Sequence, residues 1–285
     1  DHPEGTEIFV DERFVVPPAK LHFTTVATPK PIKQAIDDNG NDVTSLLSTR
    51  DGKALDNFGR GQFQGLTRDH YVEVDLGDDA PDKGPLYLIA HGSIHDTESS
   101  VNVAITQGSR WKAQSMSVEV PDGKGGWKVA QSNLGFPAGR KKTVLFDLTG
   151  LFHPGMPRRV RVRTNLEIYW DHLEWAVGLP DTLHKVVRLT PSAADLHFRG
   201  YSVVNKPESG AAPEVPDYYK LFSTKQAWRD LEGYYTRFGE VRELLSGIDD
   251  RYVIVASGDE LSLRFPEQPP PPPGYVRDFI LMGDG

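Results

Sequence analysis

Apolar and acidic residues alternate without a break from Val72 to Leu76. Val72, Val74 and Leu76 fall on one face, and Glu73 and Asp75 on the other. A period of two marks a strand buried on one side. Further short apolar runs follow at residues 86–90, 101–106, 116–120, 127–130, 143–148, 160–164 and 166–170, separated by Gly, Pro, Asp and Asn. Val160 and Val162 alternate with Arg161 and Arg163, while Leu166, Ile168 and Trp170 alternate with Glu167, Tyr169 and Asp171. Many short strands with no helical period between them predict a mainly β fold, an antiparallel β-sandwich of jelly-roll-like kind, rather than a parallel βαβ sheet. The stretch Asp122-Gly123-Lys124-Gly125-Gly126 predicts a hairpin, because glycine supplies the positive φ that a tight reversal needs.

Outside this block the texture changes. Residues 1–65 mix short apolar runs with turn formers and read as a wrapping segment, 66–180 as the sandwich, and 181–285 as a smaller α+β module. In that last part Val241, Leu244 and Leu245 share a face of a helix expected over about 239–246. Residues 252–256 and 260–265, joined by Ser257-Gly258-Asp259, read as a hairpin. The five prolines 269–273 predict an extended connector, since proline donates no backbone hydrogen bond.

Composition narrows the function classes. Thirteen Phe, ten Tyr and five Trp suit a packed β-sheet core. A net charge of -8, from 32 basic and 40 acidic residues, argues against a nucleic-acid partner, which needs a clustered basic surface. The absence of cysteine excludes disulfides, thiolate catalysis and Cys-ligated metal. No apolar run approaches the roughly 20 residues of a membrane-spanning helix. The first residues lack an initiator Met and a basic-then-apolar signal, which reads as a processed product or an excerpt flanked by other domains.

Candidate chemistry gathers in three places. In His91-Gly92-Ser93-Ile94-His95-Asp96-Thr97-Glu98, residues 91 and 95 point the same way on a strand, so His91 and His95 could hold a transition metal with Asp96 or Glu98 completing the shell. Calcium is the favoured cation, drawn to acidic loops such as Asp78, Asp79 and Asp82 or Asp96 with Glu98, although no EF-hand spacing is present. The alternative is that these histidines are hydrogen-bonded structural groups and the acids solvated.

Carboxylates Glu167, Asp171 and Glu174 beside aromatic rings suggest a glycosidase pair, against the plainer reading of a polar strand face. No Gly-x-Ser-x-Gly, His-Glu-x-x-His or phosphate-loop motif occurs. For a glycan, Trp111 and Trp127, which sit beside turns, are the candidate stacking platforms, with Tyr169 and Asp171 as further ligand-binding residues. Arg158, Arg159, Arg161 and Arg163 form a basic stripe expected to face solvent.

Four phrases carry a resemblance: Asp1-His2-Pro3-Glu4-Gly5-Thr6-Glu7, Phe63-Gln64-Gly65-Leu66, Thr164-Asn165-Leu166-Glu167-Ile168-Tyr169-Trp170-Asp171, and Gly239-Glu240-Val241-Arg242-Glu243-Leu244-Leu245 followed by Asp249-Asp250-Arg251. Together they make the chain resemble the C-terminal region of bacterial secreted FG-GAP repeat proteins with an ASPIC/UnbV segment, the cartilage-acidic-protein-like group. The resemblance implies an extracytoplasmic accessory region and transfers no active site. The expected function is non-catalytic recognition of a glycan or protein partner. The alternatives are a metal-assisted oxidase or hydrolase using His91 and His95, and a structural subunit of a larger assembly.

Overall fold

The computed structural model describes residues 1–14, 22–59, 61, 63–108, 112–139, 141–206, 214–226 and 235–283. It contains two compact units, His2–His184 and Lys185–Gly285 with Asp1.

The first unit is built from β1 (Thr6–Val10), β2 (Phe23–Ala27), β3 (Lys30–Pro31), β4 (Gln34–Asp37), β5 (Leu66–Asp75), β6 (Leu86–Ile94), the helix α1 (Ser99–Gln107), β7 (Met116–Pro121), β8 (Trp127–Leu134), β9 (Lys142–Asp147), β10 (Arg159–Leu166) and β11 (Ile168–Val177). Five strands form one sheet in the order β8-β7-β10-β5-β4, and four form another in the order β9-β6-β11-β3. Every pairing within them is antiparallel.

Their inner faces meet in one core. Val118, Val162 and Val72 lie side by side in register across the larger sheet and are all buried. Leu88, Ala90, Phe146 and Trp170 come from the smaller sheet. Each fully buried side chain of this size contributes about 1.5–3 kcal/mol by leaving water. The antiparallel sandwich expected from the alternation is therefore present.

One register change organises the smaller sheet. Trp170 pairs with Gly92 and His172 with His91, so Asp171 is the extra residue of a β-bulge. Before the bulge Ile168 and Trp170 point inward; after it Leu173 and Trp175 do. The bulge thus lets even-numbered and then odd-numbered positions feed one core. Gly92 is required opposite it, since a Cβ there would sit 2.5 Å from the Tyr169 carbonyl and 2.7 Å from the Trp170 ring.

Of residues 1–65, expected to wrap the sandwich, the described stretches 22–59 and 63–65 are woven into it. β4 extends the larger sheet and β3 the smaller one, while Ile32, Ala35, Leu47 and Leu55 join the core. The Leu55 N–H donates to the Trp170 carbonyl (2.8 Å) and the Leu173 N–H to the Leu47 carbonyl (2.9 Å), so this loop closes the free edge of β11. Val26 of β2 packs with Ile89, Leu145 and Ala176 in a second small cluster. On the far edge, Glu12 and Asp11 side chains accept the outward N–H groups of Thr143 (2.7 Å) and Leu145 (3.5 Å) in β9.

The run at 101–106, expected as a strand, is the helix α1. Its Val101 and Ile105 are half-buried and lie four residues apart on one helical face, whereas Val103 is 51% exposed. The alternation was coincidental, because only the helical spacing points inward.

In the second unit β12 (Ala193–Phe198) is followed by β13 (Tyr201–Asn205), β14 (Val215–Ser223), β15 (Gly239–Glu240) and β16 (Asp259–Arg264). β12 lies between β15 and β16, and β13 pairs with β14. The core is small: Ala194, Leu196 and Val241 are buried, with Leu244, Leu245, Leu261 and Leu263 against them. The helix expected near 239–246 is a single 3-10 turn, Arg242–Leu245, because Gly239 and Glu240 are drawn into pairing with β12. Residues 252–256 form no strand; β16 finds its partner in β12 rather than in a local hairpin.

Candidate functional site

The strands of the first unit set where its loops gather. β4, β6 and β10 end, and β5, β7 and β11 begin, at the same end of the sandwich, as their antiparallel pairings require. The connections there are pinned to one another. His95 N–H donates to the Glu167 carbonyl (2.9 Å) and Glu167 N–H to the Gly65 carbonyl (3.0 Å). The Asn165 side chain accepts from Gln114 N–H (2.7 Å) and donates to the Lys112 carbonyl (2.8 Å).

Asp37 shapes the next turn by accepting the backbone N–H groups of Asn39 and Asn41. Burial pushes its carboxyl pKa up, but the hydrogen bonds from Asn41 and Asn39 outweigh this and hold it below the usual range.

This end holds a groove of about 610 Å³ bordered by Asn39, Asn57, Phe58, Phe63, Arg68 and Asp69. Among the described residues its charges are paired. Arg68 donates to both Asp38 oxygens and to the Asn57 carbonyl (2.9 Å), and the Asp38 hydrogen bond raises its pKa further. Asp69 accepts from Arg163 (2.7 Å). Phe58 is buried, its ring 5.2 Å edge-on from Tyr169 and 4.8 Å from His70, while Phe63 stays 40% exposed. Gly61 is needed in the wall, since a Cβ would lie 2.2 Å from the Leu66 carbonyl oxygen.

Gly61 and Phe63 also border a smaller pocket of about 150 Å³ that ends on Gln64, His95 and Glu167. Glu167 is buried and accepts the Tyr169 hydroxyl. His95 Nδ1 lies 3.6 Å from Glu167 Oε1. The Gln64 amide nitrogen stands 3.3 Å from His95 Nε2. The imidazole thus stands at the end of the groove, between Gln64 and Glu167.

The predicted residues fare differently. His91 lies on β6 and His95 just beyond its end, and each has partners of its own. His91 Nδ1 meets the Thr143 hydroxyl (3.3 Å), and burial, with Arg50 nearby, lowers its pKa. Asp96 meets Gln64 through its carbonyl, and Glu98 caps α1 without a side-chain bond. Asp78, Asp79 and Asp82 approach Lys33, Lys30 and Arg158. Among the described residues no group of three His, Asp or Glu side chains is arranged to hold a metal.

Glu167 lies between β10 and β11, where its carboxylate accepts the Tyr169 hydroxyl. Asp171 is buried at the bulge, where it accepts from Gly52 N–H (3.0 Å) and Lys141 (3.1 Å). Tyr169 is buried beneath Phe58. Neither is available as a ligand platform.

Trp127 is half-buried, and the Arg161 guanidinium lies 4.1 Å from its ring centroid and 4.1 Å from that of Tyr71, so one face of the Trp127 ring is taken. Trp111 lies outside the described residues. The groove residues Asn39, Asn57, Phe63 and Arg68 were missed. Their signal was the Asn57-Phe58-Gly59 and Phe63-Gln64-Gly65 pattern, aromatic rings and amides among glycines just before the first long strand.

No family model, curated protein or solved structure matches this chain.

Proposed function

We propose that the unit His2–His184 is a non-catalytic recognition module that holds a glycan in the groove at the loop end of its sandwich. The groove carries this reading: its volume of about 610 Å³ is that of a ligand site, and it presents the part-exposed Phe63 ring beside the amides of Asn39 and Asn57. A pyranose offers C–H groups to an aromatic face and hydroxyls to amides. Among the described lining residues Arg68 pairs with Asp38 and Asp69 with Arg163, so a neutral sugar leaves these ions compensated. The resemblance to secreted proteins supports an extracytoplasmic location for this activity.

The test is a glycan array on the full chain, followed by calorimetric titration of the best binder. Phe63→Ala weakens that binder about tenfold, the value of one lost aromatic contact, and the glycan is recovered unchanged. A binder indifferent to Phe63→Ala contradicts the reading. Turnover that Glu167→Gln abolishes contradicts its non-catalytic part.

A second reading, a protein partner within a larger assembly, is favoured by β14 in the other unit, where Tyr218, Tyr219 and Phe222 are 65%, 99% and 79% exposed. Sedimentation mass that stays monomeric at all concentrations and with candidate partners would count against it.

A further inference from the structure

A polar cluster lies on the outer side of the smaller sheet, away from the groove but on the same stretch of chain that forms one groove wall. His91 and His172 face each other in register across β6 and β11. From the loop over β11, Arg50 Nε–H donates to His172 Nδ1 (3.4 Å) and its terminal nitrogen to Glu174 (3.5 Å). Gly52 N–H donates to Asp171, and Leu55 N–H to the Trp170 carbonyl. Two residues beyond Leu55 the chain reaches Asn57 and Phe58, both lining the groove. The 47–55 loop is therefore fastened to the sheet immediately before it builds the groove.

We propose that this loop is a proton-operated latch, in which protonation of His172 breaks the bond from Arg50, loosens the 47–55 loop and lowers the affinity of the groove for its ligand. The affinity clause rests on the glycan reading above; the latch itself does not.

The chemistry is that of a donor meeting a donor. Neutral His172 accepts at Nδ1, whereas an imidazolium carries N–H on both nitrogens and has nothing to offer Arg50. The surroundings are mixed. Arg50 comes from the loop, Asp171 and Glu174 from β11 itself and His91 from β6, with Lys141 and Glu12 near His91. Asp171 is already held by Lys141 and Gly52. Glu174 is held by Arg50, so a charged His172 that turns to Glu174 displaces Arg50, and one that does not repels it. Both routes end the same bond. Burial, then Arg50, lowers the His172 pKa, so the latch is closed at neutral pH and opens as the medium acidifies.

Amide hydrogen exchange on the full chain tests this without any ligand. Protection factors at Gly52, Leu55 and Leu173 should fall about fivefold between pH 7.5 and about pH 5, while the Leu148 amide, bonded to Leu86 in the core, holds steady. In His172→Asn the amide oxygen replaces Nδ1 as a non-titrating acceptor, and the fall disappears. Arg50→Ala, at a side chain 43% exposed, should show the acid level of protection at every pH. Equal slopes in wild type and His172→Asn, or no slope in wild type, overturn the latch. A glycan that binds wild type equally well at both pH values, while the loop loosens as expected, overturns its link to the groove. Loosening with no glycan bound at any pH leaves the latch standing and removes the glycan reading.

Discussion

The two outer faces of the sandwich have the same kind of sequence and different surroundings. On the larger sheet Arg159, Arg161 and Arg163 alternate with buried valines and stay partly open to solvent. They are neutralised from within the sheet: Arg161 bonds Glu73 (3.0 Å), Arg163 bonds Asp69 and Glu119, and Arg161 lies between the rings of Tyr71 and Trp127. On the smaller sheet Glu167, Tyr169 and Asp171 alternate just as regularly with Ile168 and Trp170, yet all three are buried. Phe58 and the 47–55 loop cover them. Alternation therefore says which side chains leave the core between the sheets, and the rest of the chain decides whether they reach water.

Truncations should separate the two faces by size of effect, read from denaturant unfolding followed by the fluorescence of the tryptophans, four of which lie within residues 2–184. Phe58→Ala, on the covered face, removes a buried ring and costs about 3–4 kcal/mol. Asp171→Ala leaves the Gly52 N–H without its acceptor and costs about 2–3 kcal/mol. On the open face Arg161→Ala, which loses a stacked and ion-paired guanidinium, costs about 1 kcal/mol. Equal losses on the two faces would erase the distinction.

The pH effect is smallest near neutrality and grows in acid. His70, His91 and His172 all have pKa values lowered chiefly by burial. In the unfolded chain each binds its proton near pH 6.5, before the folded chain does, so stability is complete above about pH 6.5 and falls as pH drops below it. A stability profile flat from pH 7.5 to 5 would contradict the neutral burial of these rings.

Much of the sandwich was legible because its strands obey a period of two and its turns are marked. Val72, Val74 and Leu76 face the core as their spacing requires, and the Asp122 side chain accepts the Lys124 and Gly126 N–H groups within the hairpin expected there. Three features were not legible, each because a distant partner decides it. Val101, Val103 and Ile105 alternate, but no sheet edge receives them. The 259–264 strand pairs with β12, 61 to 71 residues earlier in the chain, instead of with its neighbour. The candidate site moved from His91, Trp127 and Asp171 to the loop before β5, because a groove is made by strand ends meeting in space. Local spacing carries no trace of that meeting.

The most direct test of the groove as a glycan site is nuclear magnetic resonance of the full chain titrated with the best array binder. The account predicts shift changes concentrated on the amides of Asn39, Asn57, Phe63, Gln64 and His95, with those of the Arg159–Leu166 strand face unmoved. Changes centred on that strand, or on Tyr218–Phe222 of the other unit, with the groove silent, would contradict it.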